Sequence, residues 1–169
     1  MKKIITSLAI CLIGLSNHAQ TENSPSKSKY AVGIAAGFTT GYGLSYRYQS
    51  TKFGTQITFA PYKNPDKFSL DLGLTFLLKL ASYENVELFL YQGNHFSRTT
   101  NYTTSNDDST FDIFNSNTNP QQYFNNGLGL DFEIALNKHA GFHIMAGYAG
   151  YKNFRTINIT GETALFYKF

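Results

Sequence analysis

From Tyr30 to Phe169 the chain alternates apolar and polar positions with a period of two. Successive side chains of a strand point to opposite faces, so this alternation predicts β-strands with one apolar face. Turn signals divide it into eight strands, at about 30–38, 42–49, 53–60, 68–80, 86–93, 127–136, 141–150 and 157–169. The breaks are rich in Gly, Asn, Asp, Ser and Pro, the residues that turns favour. One gap is long, from about Asn94 to Asn126.

The two faces differ in kind. One carries Val32, Ile34, Leu44, Ile57, Leu72, Leu74, Leu128, Leu130, Ile144 and Leu165, with rings such as Tyr30, Phe38, Tyr42, Phe53, Phe59 and Tyr148 near strand ends, and no charge. The other carries most of the glycines, several alanines and the charges Arg47, Asp71, Lys79, Glu87, Asp131, Glu133, Glu162 and Lys168, together with His143. An eight-stranded barrel encloses a space just wide enough for side chains. Leu, Phe, Tyr and Ile would crowd that space, whereas glycines and paired charges fit it. The apolar face is therefore predicted to point outward, toward hydrocarbon. A Lys or Arg at the middle of that face would cost about 2–4 kcal/mol, so the register of each strand is strongly specified. The fold class predicted is all-β, an eight-stranded antiparallel up-and-down transmembrane β-barrel.

Composition agrees. Aromatic residues reach 16% and charged residues only 15%, against an ordinary charged share of roughly 25%. The net charge of +3 implies no nucleic-acid partner. Lys2 and Lys3, an apolar stretch over residues 4–15 and Ala19 read as a secretory signal peptide over residues 1–19. Its apolar core is shorter than the roughly 20 residues a spanning helix needs. Residues 20–29 read as a flexible periplasmic segment, and residues 30–169 as the barrel. The sole cysteine, Cys11, lies in the leader, which leaves the barrel without disulfides.

The last strand presents Leu165, Tyr167 and Phe169 on its apolar face. This pattern resembles the C-terminal signature of bacterial outer-membrane proteins. The resemblance implies that these three residues are an assembly signal, read by the outer-membrane assembly machinery. With the leader and the strand count, the chain resembles the small eight-stranded outer-membrane barrels of the OmpA/OmpX type. That resemblance implies an outer-membrane location in a Gram-negative envelope, contact with outer-membrane lipid and lipopolysaccharide, and both chain ends on the periplasmic side. The odd-numbered connections then face outward, including the long segment 94–126.

Candidate chemistry is sparse. The charges of the polar face, Arg47, Asp71, Lys79, Glu87, Asp131, Glu133, Glu162 and Lys168 with His143, predict a paired network inside the barrel, since an enclosed charge needs a partner. A narrow ion path is the alternative use of the same groups. His95 and Ser97 lie two apart on one strand face, where a base beside a hydroxyl could form a nucleophilic site. The stretch resembles the His-x-Ser-Asn pattern of the outer-membrane lipid A deacylases, which implies acyl-chain hydrolysis. Arg98 stands where that family has Asn, and strand parity turns both residues toward the lumen unless Gly93 forms a bulge. Asp107, Asp108 and Asp112 do not have the spacing of a calcium loop. No metal or cofactor is implied. Tyr102, Phe111, Phe114, Tyr123 and Phe124 give the long segment an apolar side, a candidate surface for an extracellular ligand. The function predicted is an integral outer-membrane barrel with a structural or surface-binding role and no large pore; lipid A acyl-chain hydrolysis at His95 and Ser97 and a narrow channel are the alternatives.

Overall fold

The computed structural model describes residues 28–64, 67–101 and 120–169. They form β1 (Tyr30–Gly37), β2 (Gly41–Gln49), β3 (Phe53–Asn64), β4 (Lys67–Tyr83), β5 (Val86–Asn101), β6 (Gln121–Ala135), β7 (Ala140–Tyr151) and β8 (Thr156–Lys168). Each strand pairs with its sequence neighbours, and β8 returns to β1, so the sheet closes into an antiparallel barrel. Closure gives every strand a partner on both sides over the body of the barrel.

The period-two pattern sorts across the wall as polarity and volume demand. Ile34, Leu44, Ile57, Leu72, Leu128 and Leu130 are exposed on the outside. Arg47, Gln56, Asp131, Glu133, His143 and Glu162 are buried inside. Rings gather around one rim, where Tyr30 lies 5.4 Å from Tyr48 and 6.4 Å from Phe169. This low rim carries the short β2–β3, β4–β5 and β6–β7 connections. The opposite rim is uneven: β3 to β6 continue past the ends of β1 and β2 as a raised wall.

Three features depart from the strand pattern expected. First, β5 runs on to Asn101 and β6 begins at Gln121, where a loop from Asn94 to Asn126 was predicted; Asn94 pairs with Asn126 and Thr99 with Gln121. Apart from the Phe96–Phe124 pair and Tyr123 the added residues are polar, so hydrophobic alternation is too sparse there to reveal them. Likewise β3 reaches Asn64 and β4 starts at Lys67. Second, the β4–β5 register shifts between Lys79 and Ala81. Leu80 is the extra residue of a bulge, and beyond it Ser82 rather than Ala81 faces inward, opposite Glu87. Third, the Tyr42 ring lies 5.7 Å from the His95 ring, inside the barrel rather than against lipid. The flanking Gly41 and Gly43 have φ of +86° and +114°, a backbone that ordinary residues avoid and that breaks the alternation. The leader, the segment up to residue 27, and Asp107, Asp108, Asp112, Tyr102, Phe111 and Phe114 lie outside the described residues.

Candidate functional site

The lumen is filled in layers. Nearest the low rim, Arg47 is the hub of an ion cluster. Its Nη2 lies 3.7 Å from Asp131, and its Nη1 lies 3.6 Å from Glu133 and 2.9 Å from Nδ1 of His143. The guanidinium also donates to Oε1 of Gln56 at 2.6 Å and sits 4.5 Å above the centre of the Phe166 ring. His143 lies 3.1 Å from Asp131 and 3.4 Å from Glu133, and Lys168 completes the set by binding Glu133. Five of the predicted lumen groups thus meet: Arg47, Asp131, Glu133, His143 and Lys168. Their strands, β2, β6, β7 and β8, approach because each strand turns that parity inward. A buried charge whose partner is removed costs several kcal/mol, so each member depends on the others.

Lys79 and Glu87 form a further ion pair, 3.0 Å apart near the β4–β5 turn. Packed against these charges is an apolar cluster of Leu77, Phe89, Tyr91 and Met145, all buried. Large rings inside so narrow a barrel are compatible with its glycines. At Gly129 and Gly147 a Cβ would collide with the facing backbone across the β6–β7 ladder.

Glu162 joins neither cluster. It meets the β1–β2 turn, which folds into the barrel instead of standing above it: Thr39 and Thr40 are 0% and 1% exposed. The Glu162 carboxylate accepts the backbone N–H of Thr39 at 3.2 Å and of Thr40 at 2.9 Å. It also accepts the Thr160 hydroxyl at 3.1 Å and that of Thr39. From the other side, Nδ1 of His95 and Nδ2 of Asn125 both donate to the Phe38 carbonyl at 3.0 Å. Room for the turn comes from glycine. A Cβ on Gly93 would stand 2.7 Å from the Thr39 carbonyl oxygen, one on Gly127 2.7 Å from the Thr39 hydroxyl, and one on Gly73 would overlap the Thr40 carbonyl. The sequence pattern places the glycines inside but does not show what they accommodate.

Asp71 is drawn to His95, whose Nε2 lies 3.0 Å from Asp71 Oδ1. The β4–β5 ladder is unbroken through Gly93, so His95 and Ser97 both face inward and are buried. Both imidazole nitrogens are engaged, one by Phe38 and one by Asp71. Neither is left to take a proton from Ser97. Leu165, Tyr167 and Phe169 are exposed on the outer face. Among the described residues no group of three or more His, Cys, Asp or Glu is arranged to hold a metal.

The apolar exterior, the closed sheet and the packed polar interior together settle the architecture. The described residues form a small closed eight-stranded antiparallel β-barrel, apolar outside and polar inside. Its fold is similar to that of Neisserial surface protein A, with a TM-score of 0.49 and 13% identity over 83% of this chain and 93% of that one. It is similar also to the N-terminal β-barrel domain of Pseudomonas aeruginosa OprF, with a TM-score of 0.47 and 14% identity over 83% and 95% of the two chains. A third likeness is to Ail, the attachment invasion locus protein of Yersinia pestis, with a TM-score of 0.42 and 19% identity over 83% and 94%. No protein-family model and no curated protein matches the sequence.

Proposed function

We propose that the protein is an integral outer-membrane barrel, exported by its leader, with a structural or surface-binding role and no conducting pore. The observation that carries this reading is the inserted β1–β2 turn. It is held across the lumen by Glu162 from β8, His95 from β5 and Asn125 from β6. Below it the apolar layer and the Arg47 cluster occupy the remaining section. An ion passing through would have to displace groups that are buried and paired, at a cost of several kcal/mol for each broken charge pair. The outward-facing Leu, Ile and Phe side chains support a lipid surround, because a soluble barrel would expose them to water.

The orientation follows from the rims. Short connections at the low rim and the raised wall opposite match the periplasmic and external ends of such barrels. Outer-membrane lipid and lipopolysaccharide are then the immediate neighbours of the outer face. The test is planar-bilayer recording of the refolded protein, with heat-modifiable gel migration confirming that the barrel has formed. Folded protein that gives no stepwise conductance supports this reading. Reproducible conductance steps that change on replacing Arg47 or Glu133 would replace it with a narrow channel.

A further inference from the structure

The raised wall and the inserted turn together make a cup, and its chemistry is not that of a plug. We propose that the cup at the tall rim is a binding site for a neutral polyhydroxylated ligand, a sugar ring in the simplest case. The floor is the Phe38 carbonyl with His95, and the wall consists of the inward positions of β3 to β6 above that level. From His95 to Asn101 the wall rises six residues, or about 20 Å along the strand at roughly 3.3 Å per residue.

Two kinds of group line it. Aromatic rings stand at one side in an edge-to-face series: Phe38 lies 6.0 Å from Tyr151 and 5.8 Å from Tyr42, and Tyr42 lies 5.7 Å from His95. Such rings offer apolar bodies with polar tips, suited to the C–H faces of a pyranose. Beside them are hydrogen-bonding groups. Asp71 and Ser97 face each other across the β4–β5 ladder, and Ser69 and Thr99 pair one step higher with their hydroxyls 3.3 Å apart. Asp71 uses only Oδ1, toward His95, and among the described residues Oδ2 has no hydrogen bond. Ser97 shares that inward face, and its hydroxyl makes no hydrogen bond among the described residues without being sealed off from solvent. An acceptor and a hydroxyl open side by side, next to the Tyr42–His95 ring pair, form a combination that a ligand with vicinal hydroxyls would complete.

The charge balance favours a neutral ligand over an ionic one. The cup's carboxylate Asp71 is already paired with His95, and Glu162, the other acid near the floor, is bonded to the turn. An amine would find no free carboxylate pair, and an anion would meet Asp71. The proposal rests on the barrel reading only for the side of the membrane from which the ligand arrives.

The full chain refolded in detergent micelles, checked by heat-modifiable migration, is mixed with glucose, galactose, N-acetylglucosamine and lactose in turn and read by saturation-transfer NMR. At least one sugar is expected to receive transfer at its ring protons. Its Kd should weaken about tenfold in Asp71→Asn, the usual cost of losing a hydrogen bond to a charged group, and should also weaken in Ser97→Ala. Lys79→Met, at the opposite rim, should leave it unchanged. Absence of transfer from every sugar, transfer indifferent to both cup variants, or preferential binding of choline as a cationic probe would each overturn the proposal. A barrel that is folded and non-conducting but binds no sugar refutes the cup without touching the account of the barrel.

Discussion

The carboxylate of Glu162, on β8, receives the backbone N–H groups of Thr39 and Thr40, 123 and 122 residues away in sequence. Hydrogen bonds to an ionised acceptor are the stronger kind, and here they hold a turn that would otherwise stand in water. In Glu162→Gln one oxygen becomes a donor that faces an N–H or a hydroxyl. The expected loss is about 1–3 kcal/mol of barrel stability, measured by urea unfolding in lipid vesicles. A variant as stable as the parent would show that the turn is not anchored there.

Gly73 and Gly161 make a matched pair of tests. A Cβ at Gly73 would overlap the Thr40 carbonyl, whereas one at Gly161 would meet nothing within 4 Å. Gly73→Ala should therefore expel or distort the inserted turn, and the unfolding midpoint should fall. Gly161→Ala should be neutral or raise stability by about 0.5–1 kcal/mol, since glycine within a strand carries an entropic penalty. Equal effects of the two substitutions would mean that the turn does not occupy the lumen.

Arg47 faces Asp131 at 3.7 Å and Glu133 at 3.6 Å, with all three side chains almost completely buried. Arg47→Ala leaves those carboxylates enclosed without their shared cation, a loss of about 3–5 kcal/mol. Adding Asp131→Asn to Arg47→Ala should recover part of that loss, because the two residues are coupled. Additive destabilisation in the double variant would show that the cluster does not act as a unit.

Leu130 is exposed on the outer face of β6, next in sequence to the fully buried Asp131. Leu130→Arg should cost about 2–4 kcal/mol in a bilayer if the residue sits near the midplane, and Leu130→Phe should cost little. Refolding yields and unfolding free energies in vesicles would show the contrast. A harmless arginine would place Leu130 away from hydrocarbon.

The wall of the barrel was largely legible in the sequence, because burial on one face imposes a period of two along most of each strand. Arg47, Glu133 and His143 could be assigned to the lumen from parity alone. What escaped were features set by something other than hydrophobic alternation. Between the Asn94–Asn126 and Thr99–Gln121 pairs only Phe96 and Phe124 form an apolar pair, too little alternation to mark a strand. Leu80 looks like a member of the outer face until the bulge shifts the register, and Tyr42 looks lipid-facing until two positive-φ glycines turn it inward.

The candidate site was harder to see for a different reason. His95, Ser97 and Glu162 each stood out as polar residues at inward parity, but their partners are distant in sequence. The backbone of Phe38, Thr39 and Thr40 carries no side-chain signal announcing that it will be the partner of His95 and Glu162. The inward glycines suited a narrow lumen, but nothing in the sequence said what they accommodate; the Cβ clashes of Gly73, Gly93 and Gly127 with the turn identify it.

The account depends above all on which face of each strand meets hydrocarbon. The most direct measurement is labelling of single cysteines at Leu72, Leu130 and Asp131, each introduced into a Cys11→Ser background and refolded in vesicles. Leu72→Cys and Leu130→Cys should react with a membrane-partitioning reagent and resist a water-soluble maleimide, while Asp131→Cys should resist both until the barrel is unfolded. Water-soluble labelling of the two leucine positions, or lipid-phase labelling at Asp131, would contradict the assignment.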